Sequence, residues 1–267
     1  MWIIRGIGIE GRQERKPSMN ETPESQQNQQ QGAREPAINL PGGILALLAL
    51  MLAIHLARTL VLNERSDLEL LLWTAFTSFR ITQPGDLPGG LLPLVWTPFT
   101  YALLHADWLH LAINSVWLAA FGTPVARRYG LGPMLVLFFV SSAAGAALFA
   151  LFPSTGILIG ASGGIAGLTG AACRFIFQPL IVHRDPETGE QRILGRQLAS
   201  ISRLARDSRA GVFILVWVVG NAIVPLLPDL FGGEGSISWQ AHLGGFLAGL
   251  LLVPLFERKL KDHAREH

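Results

Sequence analysis

Apolar residues in this chain are gathered into runs too long for most soluble helices. Six of them approach the roughly 20 residues that an α-helix needs to cross a bilayer: residues 43–62, 108–127, 132–152, 157–177, 211–229 and 238–256. Lipid offers no partner to a backbone N–H or C=O, so a spanning run of this kind must be helical. Composition agrees: 50% of residues are hydrophobic and 15% are charged, where a soluble domain carries about 25% charged residues. The expected fold class is therefore all-α, a polytopic membrane protein built as a six-transmembrane-helix bundle.

Three regions are expected. Residues 1–40 contain "NETPESQQNQQQGAREP", too polar to bury a core, and read as a disordered cytosolic N-terminal tail. Residues 41–257 form the membrane domain, and 258–267 are a short basic cytosolic C-terminal tail. The opening "MWIIRGIGIEG" has too short an apolar run for a secretory signal and lacks a cleavage site, and Met19 is an alternative start. The lone Cys173 lies in an apolar run and reads as a small packed side chain.

Orientation follows from where the positive charges fall. With the N-terminus inside, eighteen of the 21 Lys and Arg lie in inside segments. Arg58, Arg65 and Arg80 alone fall outside, at the outer end of segment one and in the connector after it. Cytosolic loops hold the excess of Lys and Arg, so the topology is N-in/C-in. The chain is expected to be an integral membrane protein of a bacterial inner membrane. The connector 63–107, with "LELLLWTAF" and "LLPLVWTPFTYALL", should form an interfacial substructure in the outer leaflet. The connector 178–210 should be a solvated basic loop, with an amphipathic helix at "ILGRQLASISRLARD".

Segments two, four and six all start at the outer face, and each carries its unusual polar residues shortly after that start. They are His110 and Asn114, Ser162, and His242. With a rise of 1.5 Å per residue all four fall in the outer third of the bilayer, and His110 and Asn114, four apart, share a face. Polar groups in lipid are costly and mark functional sites by default. A hydroxyl, an imidazole to take its proton and further donors are what nucleophilic acyl transfer requires. No Asp or Glu lies within these three segments, so a Ser–His dyad fits better than a triad. Gly163, Gly167 and Gly170 on segment four, and Ala241, Gly245 and Gly249 on segment six, form small-residue faces that let two backbones approach closely. Gly160 suits a bent helix start. Asp107 reads as the N-cap of segment two. His55 and Asn221 read as packing polar groups without a chemical role.

Three motifs resemble those of the rhomboid family of intramembrane serine proteases; in chain order they are His110-x-x-x-Asn114 with His105 upstream, Gly160-Ala161-Ser162-Gly163, and Ala241-His242-x-x-Gly245 followed by Gly249. The resemblance covers residues 43–256 and implies a rhomboid-like six-helix bundle. It implies Ser162 as nucleophile, His242 as general base and then acid, and His110, Asn114 and the Ser162 N–H as oxyanion stabilisers. Gly163, Gly167, Gly245 and Gly249 would be the helix-contact glycines. The implied reaction is peptide-bond hydrolysis in or beside the transmembrane segments of membrane protein substrates, with no metal or organic cofactor. The lipid bilayer and transmembrane protein substrates are the expected partners; nucleic acid is not, and oligomeric state is left open. The connector near 230–237, "LFGGEGSIS", would be a flexible cap. One position departs from the family pattern: Ala166 stands where many members have a Tyr or Phe that packs on the catalytic histidine, and Trp117, Trp217 and Trp239 are possible substitutes. Two alternatives remain at this point. One is a catalytically inactive rhomboid-like adaptor that binds membrane helices. The other is a small transporter, which the apolar lower halves of segments two, four and six disfavour.

Overall fold

The computed structural model describes residues 39–152, 156–184, 191–223 and 238–257. The expected N-terminal tail up to residue 38, the cap at 230–237 and the basic tail at 258–267 lie outside the described residues.

Among the described residues, four helices are long and apolar enough to cross a membrane. The first runs over Gly42–Val61, as α1 (Gly42–Leu56) and a wider π-turn. The second, Trp108–Tyr129, joins α3 (Trp108–Trp117) to α4 (Thr123–Tyr129) through a π-turn at Leu118–Gly122. Pro124 has no N–H to give back to the preceding turn, which accounts for the widening there. The third is α5 (Leu131–Ala150), separated from α4 only by Gly130 at φ +85°. The fourth is Trp239–Phe256, mostly α9 (Trp239–Leu252). Between α1 and α3 lies α2 (Glu64–Thr74).

Of the remaining two expected spans, one departs from expectation. Expected span 157–177 becomes α6 (Ser162–Cys173), preceded by extended chain. Its first turn fails to form over 157–160 because Leu158 bridges to Phe76 and Gly160 takes φ +118°. From Gly163 to Cys173 every residue of α6 is buried, so this helix is sheathed by protein and needs little oily surface of its own. Expected span 211–229 is α8 (Ser208–Ile223) as far as the described residues go.

The connector 178–210 is also not what its sequence pattern implies. The "ILGR" part of the expected amphipathic helix is instead in β2 (Gln191–Arg196), paired antiparallel with β1 (Leu180–Arg184). Of the stretch expected to be helical, the part that is so is α7 (Ile201–Arg206), capped by Ser200. Gly195 at φ +114° is incompatible with a helix through that stretch. The described residues are therefore mostly helical, with this two-stranded hairpin as the sheet among them.

The connector 63–107 is ordered around its own arginine. Arg80 is 1% exposed and donates to the carbonyls of Leu72, Pro88 and Gly90 at 2.6–2.7 Å. Irregular turns leave carbonyls without helical partners, and one guanidinium with a fixed fork of donors gathers three of them. Arg58, at the end of the first long helix, forms a two-point pair with Asp67 of α2 at 2.7 and 3.0 Å and donates to the His105 carbonyl at 2.7 Å. Two of the three cations expected to lie outside are thus consumed by the connector's architecture.

The bundle's tightest contacts join α9 to α5 and α6. A Cβ on Gly245 would overlap the Gly163 carbonyl, and one on Gly249 would overlap the Gly167 carbonyl. On the other flank, a Cβ on Gly244 would lie 2.7 Å from the Ala144 carbonyl oxygen. Replacing Gly249 with Val should force α6 and α9 apart. Overpacking of this kind costs about 1–3 kcal/mol, and thermal unfolding in detergent should detect it as a clear fall in Tm relative to the unmodified chain.

Candidate active site

The segment leading into α6 is held by the connector rather than by the bundle. Phe76 and Leu158 exchange two backbone bonds of 3.2 and 2.6 Å, and Thr77 Oγ1 donates to the Gly156 carbonyl at 3.0 Å. Gly160 N–H donates to the Tyr101 carbonyl at 3.0 Å. Tyr101 is itself fixed, with Oη donating to the Ser142 carbonyl at 2.9 Å, and a Cβ on Gly163 would lie 2.6 Å from that Oη. Gly160 then turns the chain with φ +118°, Ala161 is the N-cap residue, and Ser162 is the first residue of α6. This places the serine at a helix N-terminus, where N–H groups lack intrahelical acceptors and the partial charge is positive. Ser162 is half-buried.

His110 and Asn114 approach from α3. Asp107 accepts from His110 N–H at 2.8 Å and is the N-cap the sequence indicates. The two side chains meet the lead-in at Gly160: a Cβ there would lie 2.7 Å from both Cε1 and Nε2 of His110 and 3.7 Å from Asn114 Nδ2. His110 Nδ1 accepts from Ala106 N–H at 3.5 Å, so Nε2 is the ring nitrogen turned toward Gly160. Asn114 is 3% exposed, and its Nδ2 donates to the His110 carbonyl at 3.1 Å. His105 is fully buried behind them, its ring edge-on to His110 with centroids 5.3 Å apart.

His242 lies in the first turn of α9. The carbonyl just before it, that of Ala241, is seated between two glycines; a Cβ on Gly145 would lie 2.6 Å from it and one on Gly163 3.5 Å. The backbones of α6 and α9 therefore touch at the level of Ser162 and His242. Among the described residues the two side chains are not hydrogen-bonded to each other. Instead, His242 Nδ1 lies 2.5 Å from Asn221 Oδ1 on α8, while Asn221 Nδ2 donates to the Trp217 carbonyl at 2.7 Å.

Asn221 is the residue that sequence reasoning passed over as a packing group. Its signal was depth, since it falls in the outer half of the expected fifth span. His55, by contrast, packs edge-on against Trp108 with ring centroids 4.5 Å apart. None of the three tryptophans considered as supports for His242 stacks on its ring. Trp217 stacks on Phe246 (4.4 Å, 25°), Trp117 on Phe121, and Trp239 meets Phe152 edge-on. Ala166 is buried in a cluster with Cys173 and Phe246, against which Trp217 packs.

Apolar spanning helices sheathing a short glycine-lined helix, with polar side chains clustered at its N-terminus, define an integral membrane protein with a site inside its bundle. The Rhomboid domain family model matches residues 93–259, more than half of the chain, and the protein belongs to the rhomboid family. The chain is also similar to RHOMBOID-like protein 1 of Arabidopsis thaliana, at 28% identity over 162 residues. That match covers 61% of this chain and 34% of the plant protein, so the chain aligns with about a third of that relative.

Gly160→Ala tests the joint. A side chain at this φ is strained by about 1–3 kcal/mol, and its methyl would collide with the His110 ring. The variant should keep its helical circular dichroism while labelling of Ser162 by a fluorophosphonate slows at least about 10-fold.

Proposed function

We propose that the protein is an intramembrane serine protease that hydrolyses peptide bonds in or next to the transmembrane segments of membrane protein substrates. The observation that carries this reading is the junction at Gly160. One tight turn starts the serine helix and brings His110 and Asn114 beside it, and the Ala241 carbonyl seated on Gly163 sets His242 at the same level.

In this reading Ser162 Oγ attacks the scissile carbonyl carbon as His242 removes its proton. The negative charge moves to the carbonyl oxygen, which receives hydrogen bonds from Ser162 N–H, Asn114 Nδ2 and His110 Nε2. With its Nδ1 accepting from Ala106, a neutral His110 carries its proton on Nε2, as an oxyanion donor must. The tetrahedral species collapses when His242 returns the proton to the departing amine. Water then repeats the sequence on the acyl-enzyme. The unmade Ser162–His242 bond is compatible with this scheme, because catalytic hydrogen bonds are often long until substrate is bound.

The same reading includes six membrane crossings, with α6 and α8 as the two beyond the four long helices, and an N-in/C-in topology drawn from the Lys and Arg distribution. The site then opens toward the extracytoplasmic leaflet, where water reaches Ser162. A bacterial inner membrane is the proposed location.

In a reconstituted assay with a transmembrane reporter, Ser162→Ala and His242→Ala should each reduce cleavage by at least about 10³-fold. A fluorophosphonate should label Ser162 in the unmodified chain and lose most of that reaction in His242→Ala. A reporter that is bound but never cut, together with an unreactive serine, would establish the inactive adaptor instead.

A further inference from the structure

We propose that Asn221 is a positioning residue for His242: it fixes the imidazole through Nδ1 and leaves Nε2 unprotonated toward Ser162, the support that Ala166 does not supply. This rests on the reading of His242 as the general base.

A carboxamide has one accepting end and one donating end. Asn221 has spent the donating end, since Nδ2 gives its hydrogen to the Trp217 carbonyl at 2.7 Å. The opposite rotamer would set Oδ1 against that carbonyl, two acceptors at hydrogen-bond distance with no hydrogen between them. The amide is thereby oriented by its own helix, and Oδ1 is what His242 meets at 2.5 Å. An acceptor facing Nδ1 requires the proton to be there. A neutral imidazole carries only one, so Nε2 holds the lone pair.

The arrangement suits the chemistry. When Nε2 receives the Ser162 proton, one O–H bond breaks, one N–H bond forms, and the Nδ1–H···O bond remains in place throughout. The bond also restrains rotation of the ring. Family members with an aromatic residue at position 166 would restrain it by packing; here Ala166 is buried in one cluster with Phe246, and no ring lies on His242 among the described residues. Trp217 enters twice, as the carbonyl that orients Asn221 and as the ring stacked on Phe246 one turn below His242.

The test uses the full chain in lipid nanodiscs. With ¹⁵N-histidine labelling, the His242 signal, identified by its loss in His242→Gln, should show a neutral ring protonated at Nδ1. In Asn221→Leu it should shift toward the Nε2–H form. Cleavage of the transmembrane reporter by Asn221→Leu should fall about 10- to 100-fold in kcat with KM within about twofold. Asn221→Asp, whose carboxylate accepts the same proton, should recover at least about 10-fold over the leucine variant. Protonation of His242 at Nε2 in the unmodified chain, or an unchanged kcat in Asn221→Leu, would overturn the proposal. So would an aspartate variant no better than leucine at equal Tm. If the leucine variant does not fold, the tautomer in the unmodified chain and the aspartate variant decide. Persistent cleavage by Ser162→Ala would instead refute the protease reading, and the tautomer measurement would still judge Asn221 by itself.

Discussion

Carbonyl oxygens resting where glycines have no side chain set the dimensions of this bundle. Gly163 and Gly167 present carbonyls to Gly245 and Gly249, and Ala241 presents its own to Gly145 and Gly163. In lipid, burying apolar side chains against one another gains little, because acyl chains are just as apolar. Helices there are held by close van der Waals contact, which glycine permits by removing the atom that would separate two backbones. The low helix propensity of glycine is offset because α6 is enclosed on all sides. The same contact brings Ser162 and His242, eighty positions apart in the chain, onto touching backbones.

Reactive groups also need an anchored support, and here that support lies largely outside the spanning helices. The connector 63–107 supplies the strand partner of Leu158, the acceptor for Gly160 N–H and the hydroxyl against Gly163. Buried Arg80 gives it internal order by gathering loop carbonyls, and Arg58 ties it to the end of α1. Buried charged side chains are expensive unless their donors are used. Arg80 directs both terminal nitrogens to carbonyls, leaving only Nε without a partner, and Arg58 directs its own to a carboxylate and a carbonyl. The connector is accordingly part of the site's construction as well as a link between spans.

Membership of the rhomboid family accounts for the architecture, and individual positions carry this chain's particulars. Where the family pattern expects a ring at position 166, this chain has alanine, buried in the same cluster as the stacked Phe246 and Trp217. The histidine is then held by an amide on a third helix, so α5, α6, α8 and α9 all converge on one turn of backbone.

Hydropathy alone made the membrane class legible, because transfer of apolar residues into lipid is a local property that adds along the chain. That Ser162, His110, Asn114 and His242 share one level of the bundle was also legible, since a fixed rise per residue converts position along a helix into height. The N-cap at Asp107 and the contact glycines were visible too, being short patterns with a single physical meaning. The late start of α6 was not, because residues 157–160 are apolar enough for a helix and only pairing with Phe76 draws them out. The hairpin was hidden likewise, since "ILGR" became a strand through a partner ten or more residues away. Nor could Asn221 be assigned to His242: which faces of α8 and α9 meet depends on helix rotation and lateral order, and those are set by packing among all the helices at once, which no one-dimensional pattern records.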